Sequence, residues 1–160
     1  MQEKVLELFK KLKIDYQLVE HPPLFTCADH DKYGIKIDGL DCKNLFLRNK
    51  EKSQYYLVSL PSEKRLDQNK LQKTLGESRL SFGNESVLFE KLGIKSGSAS
   101  LLNVINTKNS DVIFIVDKEL SGHSKVGFHP NVNTATVLFN PKNIEKIFNH
   151  HKAKYVFLEL

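Results

Sequence analysis

The 160-residue sequence predicts an α/β or α+β layer fold on a mixed sheet, and three observations carry that expectation. Mostly short runs of strand-forming residues recur along the chain, about five segments show helical periodicity, and the two kinds do not alternate strictly. At this length a chain buries a sufficient core without a staple, so one domain over 1–160 is expected.

Val5, Leu8, Phe9 and Leu12 recur at helical spacing and predict an amphipathic helix over 3–12, with Lys4, Lys10, Lys11 and Lys13 mostly outside. A short strand follows at 16–19 and stops at His21-Pro22-Pro23, where two prolines forbid helix. Thr26-Cys27-Ala28-Asp29 has the form of a capping box, so a short helix should begin at Thr26 and end near Gly34. Its first amides either cap themselves or hold an anion. Residues 36–40 read as a connection, and the apolar runs at 45–48 and 54–60 as a hairpin across a polar turn. Asp67 and Gly76 bracket a helix carrying Leu71 and Leu75. After a short strand at 79–82, Val87, Leu88 and Leu92 mark a helix from Glu85 that stops at Gly93. Residues 111–116 form a continuous apolar strand, and 125–128 with 134–139 frame a turn around His129 like a hairpin with a long loop. Asn140-Pro141 opens a helix carrying Ile144, Ile147 and Phe148, and 155–158 closes the chain as a strand.

Composition narrows the function classes. Hydrophobic residues are 40% and charged ones 27%, with no apolar run near the roughly eighteen residues that span a bilayer. The start, Met1-Gln2-Glu3-Lys4, lacks the pattern of a secretion signal, so a cytoplasmic protein is expected. Cys27 and Cys42 have no C-x-x-C spacing and no histidine placed to complete a zinc site; both are expected to be small reduced residues near the surface. His150-His151 falls in a last helical turn, where neighbours point about 100° apart and make a poor metal pair. No metal and no cofactor are expected. The net charge of +5 points to an anionic partner, without choosing nucleic acid among them, because the chain is rich in lysine throughout.

Three stretches carry candidate chemistry. In residues 41–49 the polar pair Lys43-Asn44 precedes the apolar run Leu45-Phe46-Leu47, which sets an ammonium and a carboxamide at the lip of a buried strand. A lysine in that position is commonly only a solvated strand end. Residues 93–102 are dense in Gly and Ser, and Gly97 could line a pocket with main-chain groups or simply make a tight turn. The segment does not have the P-loop pattern. The third stretch, 126–136, sets His129, Asn131 and Asn133 between two apolar runs.

Taken in order, Lys43-Asn44-Leu45-Phe46-Leu47, the run from Leu92-Gly93 to Asn106, and Phe128-His129-Pro130-Asn131 with Asn133-Thr134 resemble the YbaK/ProX superfamily of aminoacyl-tRNA editing domains. Within it the resemblance is strongest to the free-standing ProX, or PrdX, type, and it runs nearly end to end. It implies a mixed sheet partly curled into a barrel and flanked by about five helices. It also implies hydrolysis, in trans, of alanine wrongly esterified to proline tRNA. Lys43 would then anchor the terminal adenosine through its phosphate, Gly97 would offer backbone contacts to a water or the carbonyl, and His129 would shape the aminoacyl pocket. Asn44, Thr26, Leu45, Leu47, Ser98, Ser100 and Asn133 are the implied substrate contacts. Such chemistry needs no metal and no Ser-His-Asp set, because an aminoacyl ester is already activated. The family's Gly-x-x-x-Pro loop aligns with Gly97-Ser98-Ala99-Ser100-Leu101, so leucine stands where proline is usual. Mischarged tRNA(Pro) is the implied partner, while prolyl-tRNA synthetase as a partner and the oligomeric state stay open. Two other readings remain: a deacylase for another small aminoacyl ester such as Cys-tRNA(Pro), and a non-catalytic tRNA-binding regulatory module.

Overall fold

Two faces of one sheet explain most of the chain's apolar pattern. The structure, a computed structural model, describes residues 1–26, 28–107 and 111–160; Cys27 and its expected packing lie outside them. In chain order the elements are α1 (Gln2–Lys11), β1 (Tyr16–Glu20), α2 (Ala28–Lys32), β2 (Leu40–Asn49), β3 (Tyr55–Pro61), α3 (Gln68–Leu75), β4 (Leu80–Phe82), α4 (Glu85–Leu92), β5 (Val112–Asp117), β6 (Val126–Phe128), β7 (Ala135–Phe139), α5 (Ile144–His150) and β8 (Lys154–Leu158). A 3-10 helix over Leu101–Asn106 precedes β5 and another over Lys118–Gly122 follows it.

The eight strands form one mixed sheet in the order β1-β7-β6-β2-β3-β5-β8, with β4 paired to β2 off that path. Pairings β2-β6, β3-β5 and β5-β8 are parallel, and β1-β7, β6-β7, β2-β3 and β2-β4 are antiparallel. The sheet is not closed: β1 and β8 are the ends of its path. On one face Leu57, Phe114 and Val116 pack with α1, α4 and α5; on the other Tyr56, Val58 and Ile115 pack with Leu71 of α3. Strands covered on both faces need apolar residues at consecutive positions, which is why 112–116 shows no alternation.

Helix ends follow local chemistry. The Asp67 side chain accepts from Lys70 N at the start of α3, Asn84 accepts from Val87 N at the start of α4, and Gly76 and Gly93 close the two helices in the left-handed conformation. Asn140-Pro141 opens a 3-10 turn over Pro141–Asn143, and α5 proper begins only at Ile144. The largest departure from expectation is β2, which starts at Leu40, inside the stretch read as a connection. Its first residues pair with β6, a partner some eighty-five positions downstream, and no local pattern announces such a contact.

Candidate active site at the break in the sheet

Strand β2 is paired with β3 along one side over 42–48. Its other side is held by β6 at Leu40 and Asp41 and by β4 at 47–49. Between those two partners, among the described residues, no strand pairs with residues 42–46 on that side. A cleft of about 290 Å³ opens there.

The parallel register sets its floor. Leu40 lies against Val126 and Asp41 against Gly127, so two residues further on Lys43 and His129 come level just where the strands part. Both line the cleft, together with Asn44, Leu45, Thr26 and Gly97. Three stretches far apart in sequence thus meet.

Hydrogen bonds fix what each group presents. Ser59 Oγ donates to Asn44 Oδ1 at 2.6 Å, which orients the carboxamide of this cleft-lining residue and leaves Oδ1 engaged. His129 Nδ1 lies 2.9 Å from Ala135 O; a carbonyl only accepts, so Nδ1 carries a proton and donates it there, which fixes the ring. The ring of His21 lies beside it, with centroids 5.9 Å apart. His21 Nδ1 is 2.9 Å from Pro22 O and Nε2 is 2.8 Å from Oγ1 of Thr136, a cleft residue.

A set of carboxamides, Asn103 and Asn131 buried and Asn106 half-buried, ties the Gly97 and His129 loops together. Asn103 Nδ2 donates to Asn131 Oδ1 at 2.8 Å, Asn106 Nδ2 donates to the same oxygen at 3.0 Å, and Asn103 Oδ1 accepts from Ser100 N at 2.7 Å. Each such bond is worth about 0.5–1.5 kcal/mol. Asn131 takes a left-handed backbone (φ 63°), which asparagine tolerates better than most residues. Gly97 has φ 90°, and a Cβ there would stand 3.0 Å from Phe25 Cδ1 and 3.4 Å from Asn133 Nδ2. Both the backbone and the crowding call for glycine.

Four of the expected substrate contacts are not brought into the cleft lining. Leu47 shares its strand face with Leu45 but is sealed in the core beneath β4. Ser100 is fully buried and its hydroxyl caps the 3-10 helix at Leu102 N. Ser98 is buried, and Asn133 stands behind Gly97 while its carbonyl accepts from Leu24 N. Two of the amides before α2 are taken by a side chain: Phe25 N and Thr26 N both donate to Asp29 Oδ2, at 2.8 and 3.1 Å, and hold that carboxyl below its ordinary value. Asp41, Cys42, Phe25 and Thr136 line the cleft without having been singled out from the sequence. For Phe25 a signal existed, a large aromatic in a Pro-rich turn; Thr136 reads as one more strand residue.

Leu101, at the position where the resemblance implies a proline, occupies the first position of the 3-10 helix and is fully buried. Proline is favoured at a first helical position because the amide there has no acceptor within the helix, so leucine keeps the loop with its cap intact.

Fold and cleft together define a class: a mixed-sheet α/β domain whose candidate site is a donor-lined break between strands. The chain belongs to the aminoacyl-tRNA editing domain family, whose model matches residues 21–147, and is by class a deacylase of mischarged aminoacyl-tRNA. It is 35% identical over 158 residues to the prolyl-tRNA editing protein ProX of Acetoanaerobium sticklandii, covering 99% of this chain and 96% of that one. It is also 35% identical over 136 residues to the prolyl-tRNA synthetase associated domain-containing protein 1 of Mus musculus, covering 82% of this chain and 80% of the relative. Among solved structures, the hypothetical protein APE2540 matches the fold with a TM-score of 0.74 at 20% identity, over 95% of this chain and 96% of its own. A candidate trans-editing enzyme for prolyl tRNA synthetase matches it with a TM-score of 0.70 at 18% identity, over 99% and 96%. Among the described residues no helix is long and apolar enough to cross a membrane.

Proposed function

We propose that this protein works in trans for prolyl-tRNA synthetase in the cytoplasm, hydrolysing the ester of alanine mischarged onto proline tRNA. The observation that carries the reading is the convergence of Lys43, Gly97 and His129 on one cleft. Likeness to a prolyl-tRNA editing protein along nearly the whole of both chains supports the prolyl assignment.

In this reading the Lys43 ammonium anchors the terminal nucleotide through its phosphate, and the Asn44 Nδ2 donor steadies it. The Gly97 backbone contacts the attacking water or the ester carbonyl. Water adds to that carbonyl, the ribose oxygen leaves and takes a proton, and alanine departs as the carboxylate. Positioning and donors suffice, because the ester is activated before it arrives. His129, its ring fixed through Nδ1, forms a wall of the aminoacyl pocket, and size does the sorting: alanine enters and the larger proline ring does not.

A panel of charged tRNAs tests this. Alanine should be released from Ala-tRNA(Pro) much faster than proline from Pro-tRNA(Pro), and Lys43→Ala should abolish release while the fold survives. Faster release from Cys-tRNA(Pro) would move the substrate but keep the class. Tight tRNA binding without turnover of any ester would replace the enzyme with a binding module.

A further inference from the structure

Folding buries large apolar side chains, so an exposed one needs another reason to be where it is. Met1, Tyr16, Phe25, Tyr33, Phe82 and Phe89 are the exposed large hydrophobics among the described residues, and of these only Phe25 lines the cleft. Its side chain is 66% exposed and joins neither core cluster.

The backbone that carries the ring is nevertheless anchored. Phe25 N donates to Asp29 Oδ2 at 2.8 Å, and the preceding residue, Leu24, is buried with its amide bonded to Asn133 O at 3.0 Å. On the inner side the ring edge lies against Gly97, within 3.0 Å of where a Cβ would be. An aromatic ring on an anchored backbone therefore stands at the lip, beside the loop assigned to the ester, with the Lys43 cation in the same cleft. An aromatic face beside a cation is how proteins grip unpaired nucleotides, the ring stacking on a base and the charge meeting a phosphate.

We propose that Phe25 is the platform on which the base of the terminal nucleotide stacks, a role that rests on the cleft taking the aminoacyl-adenosine end. The contact with Gly97 sets the two side by side, with the base on Phe25 and the ester on the neighbouring loop. The wall of an amino-acid sieve would be enclosed, whereas this ring faces solvent.

The chain contains no tryptophan, so Phe25→Trp introduces a sole indole reporter at the site. Adenosine 5'-monophosphate and a CCA trinucleotide should quench its fluorescence saturably. In steady-state deacylation Phe25→Ala should raise KM roughly 5- to 150-fold, the worth of one stacked base, with kcat nearly unchanged. Phe25→Tyr should restore KM and Phe25→Leu should not, because stacking needs a ring and not merely apolar surface. Because the ring packs in no core cluster, these variants should fold, which thermal melting checks. An unquenched indole at saturating nucleotide would overturn the proposal, as would an unaltered KM in Phe25→Ala. So would a Phe25→Ala enzyme that changes its preference among amino acids while binding the CCA end as before. Failure of the parent protein to deacylate any aminoacyl-tRNA would instead sink the underlying function; the nucleotide titration needs no turnover and decides the stacking by itself.

Discussion

The two ends of β2 share one backbone conformation and lead different lives. Residues 40–45 are all half-buried, whereas Phe46, Leu47 and Asn49 are shut away from solvent. Side-chain chemistry alone does not separate them, since Leu45 and Leu47 are the same residue on the same strand face. What differs is the flank: β4 covers 47–49, and nothing comparable covers 42–46 among the described residues. The lesson is that the site here is made by a missing strand neighbour. A polar pair placed at such a gap faces a cleft, while the same pair two turns of the pleat later would be buried without solvent.

Truncating one residue from each end should break this symmetry in opposite ways. Leu47→Ala should cost about 2–5 kcal/mol of stability, seen in urea unfolding, with turnover per folded molecule retained. Lys43→Ala should leave the unfolding midpoint close to the parent's and lower deacylation on the order of a hundredfold or more. Asn44 lies between these regimes, because Ser59 is buried and its hydroxyl relies on Asn44 Oδ1. Asn44→Leu should therefore both impair activity and destabilise by about 1–3 kcal/mol, measurable by the same two assays.

Smaller effects sharpen the contrast from outside the strand. Leu101→Pro places proline at a first helical position, where it should stabilise by up to about 1 kcal/mol if the buried leucine's packing is matched, and it should leave the Lys43 dependence of activity intact. Thermal melting and a deacylation assay on Lys43→Ala in that background check both. The smallest effect belongs to His151, beside α5, which burial first, then His150 and Lys11, holds below its ordinary value of 6.5. The unfolded chain takes up a proton that the folded one refuses, so stability is complete above about pH 6.5 and falls as pH drops through the lower folded value. His151→Gln should flatten that slope in melting temperature without altering the cleft.

Much of the fold was legible because its causes are local. The continuous apolar run at 112–116 marks a strand covered on both faces, and Asp67 with Gly76 marks both ends of α3. The three groups proposed for the chemistry, Lys43, Gly97 and His129, were legible through a family resemblance; Lys43 and His129 meet through the parallel β2-β6 register and Gly97 joins them through long-range loop contacts, none of which a local pattern carries. Leu47 was assigned to the substrate through the family resemblance, together with Leu45; a resemblance gives the strand and is silent about the flank that buries Leu47 and leaves Leu45 at the cleft. The Asn103, Asn106 and Asn131 cluster was hidden for a related reason, since a carboxamide in a loop looks solvated until its long-range partners are known. The 3-10 helix at Leu101–Asn106 is too short to show a period.

The most direct test of the cleft is a titration with an alanyl-adenosine analogue in which an amide replaces the ester, followed by backbone amide resonances. The account predicts saturable shifts confined to residues 42–45, 97–99 and 127–129, together with Phe25. Shifts gathered instead around a separate cavity, lined by Lys70, Leu71 and Thr74 of α3 and by Leu158 and Leu160 at the end of the chain, would contradict it.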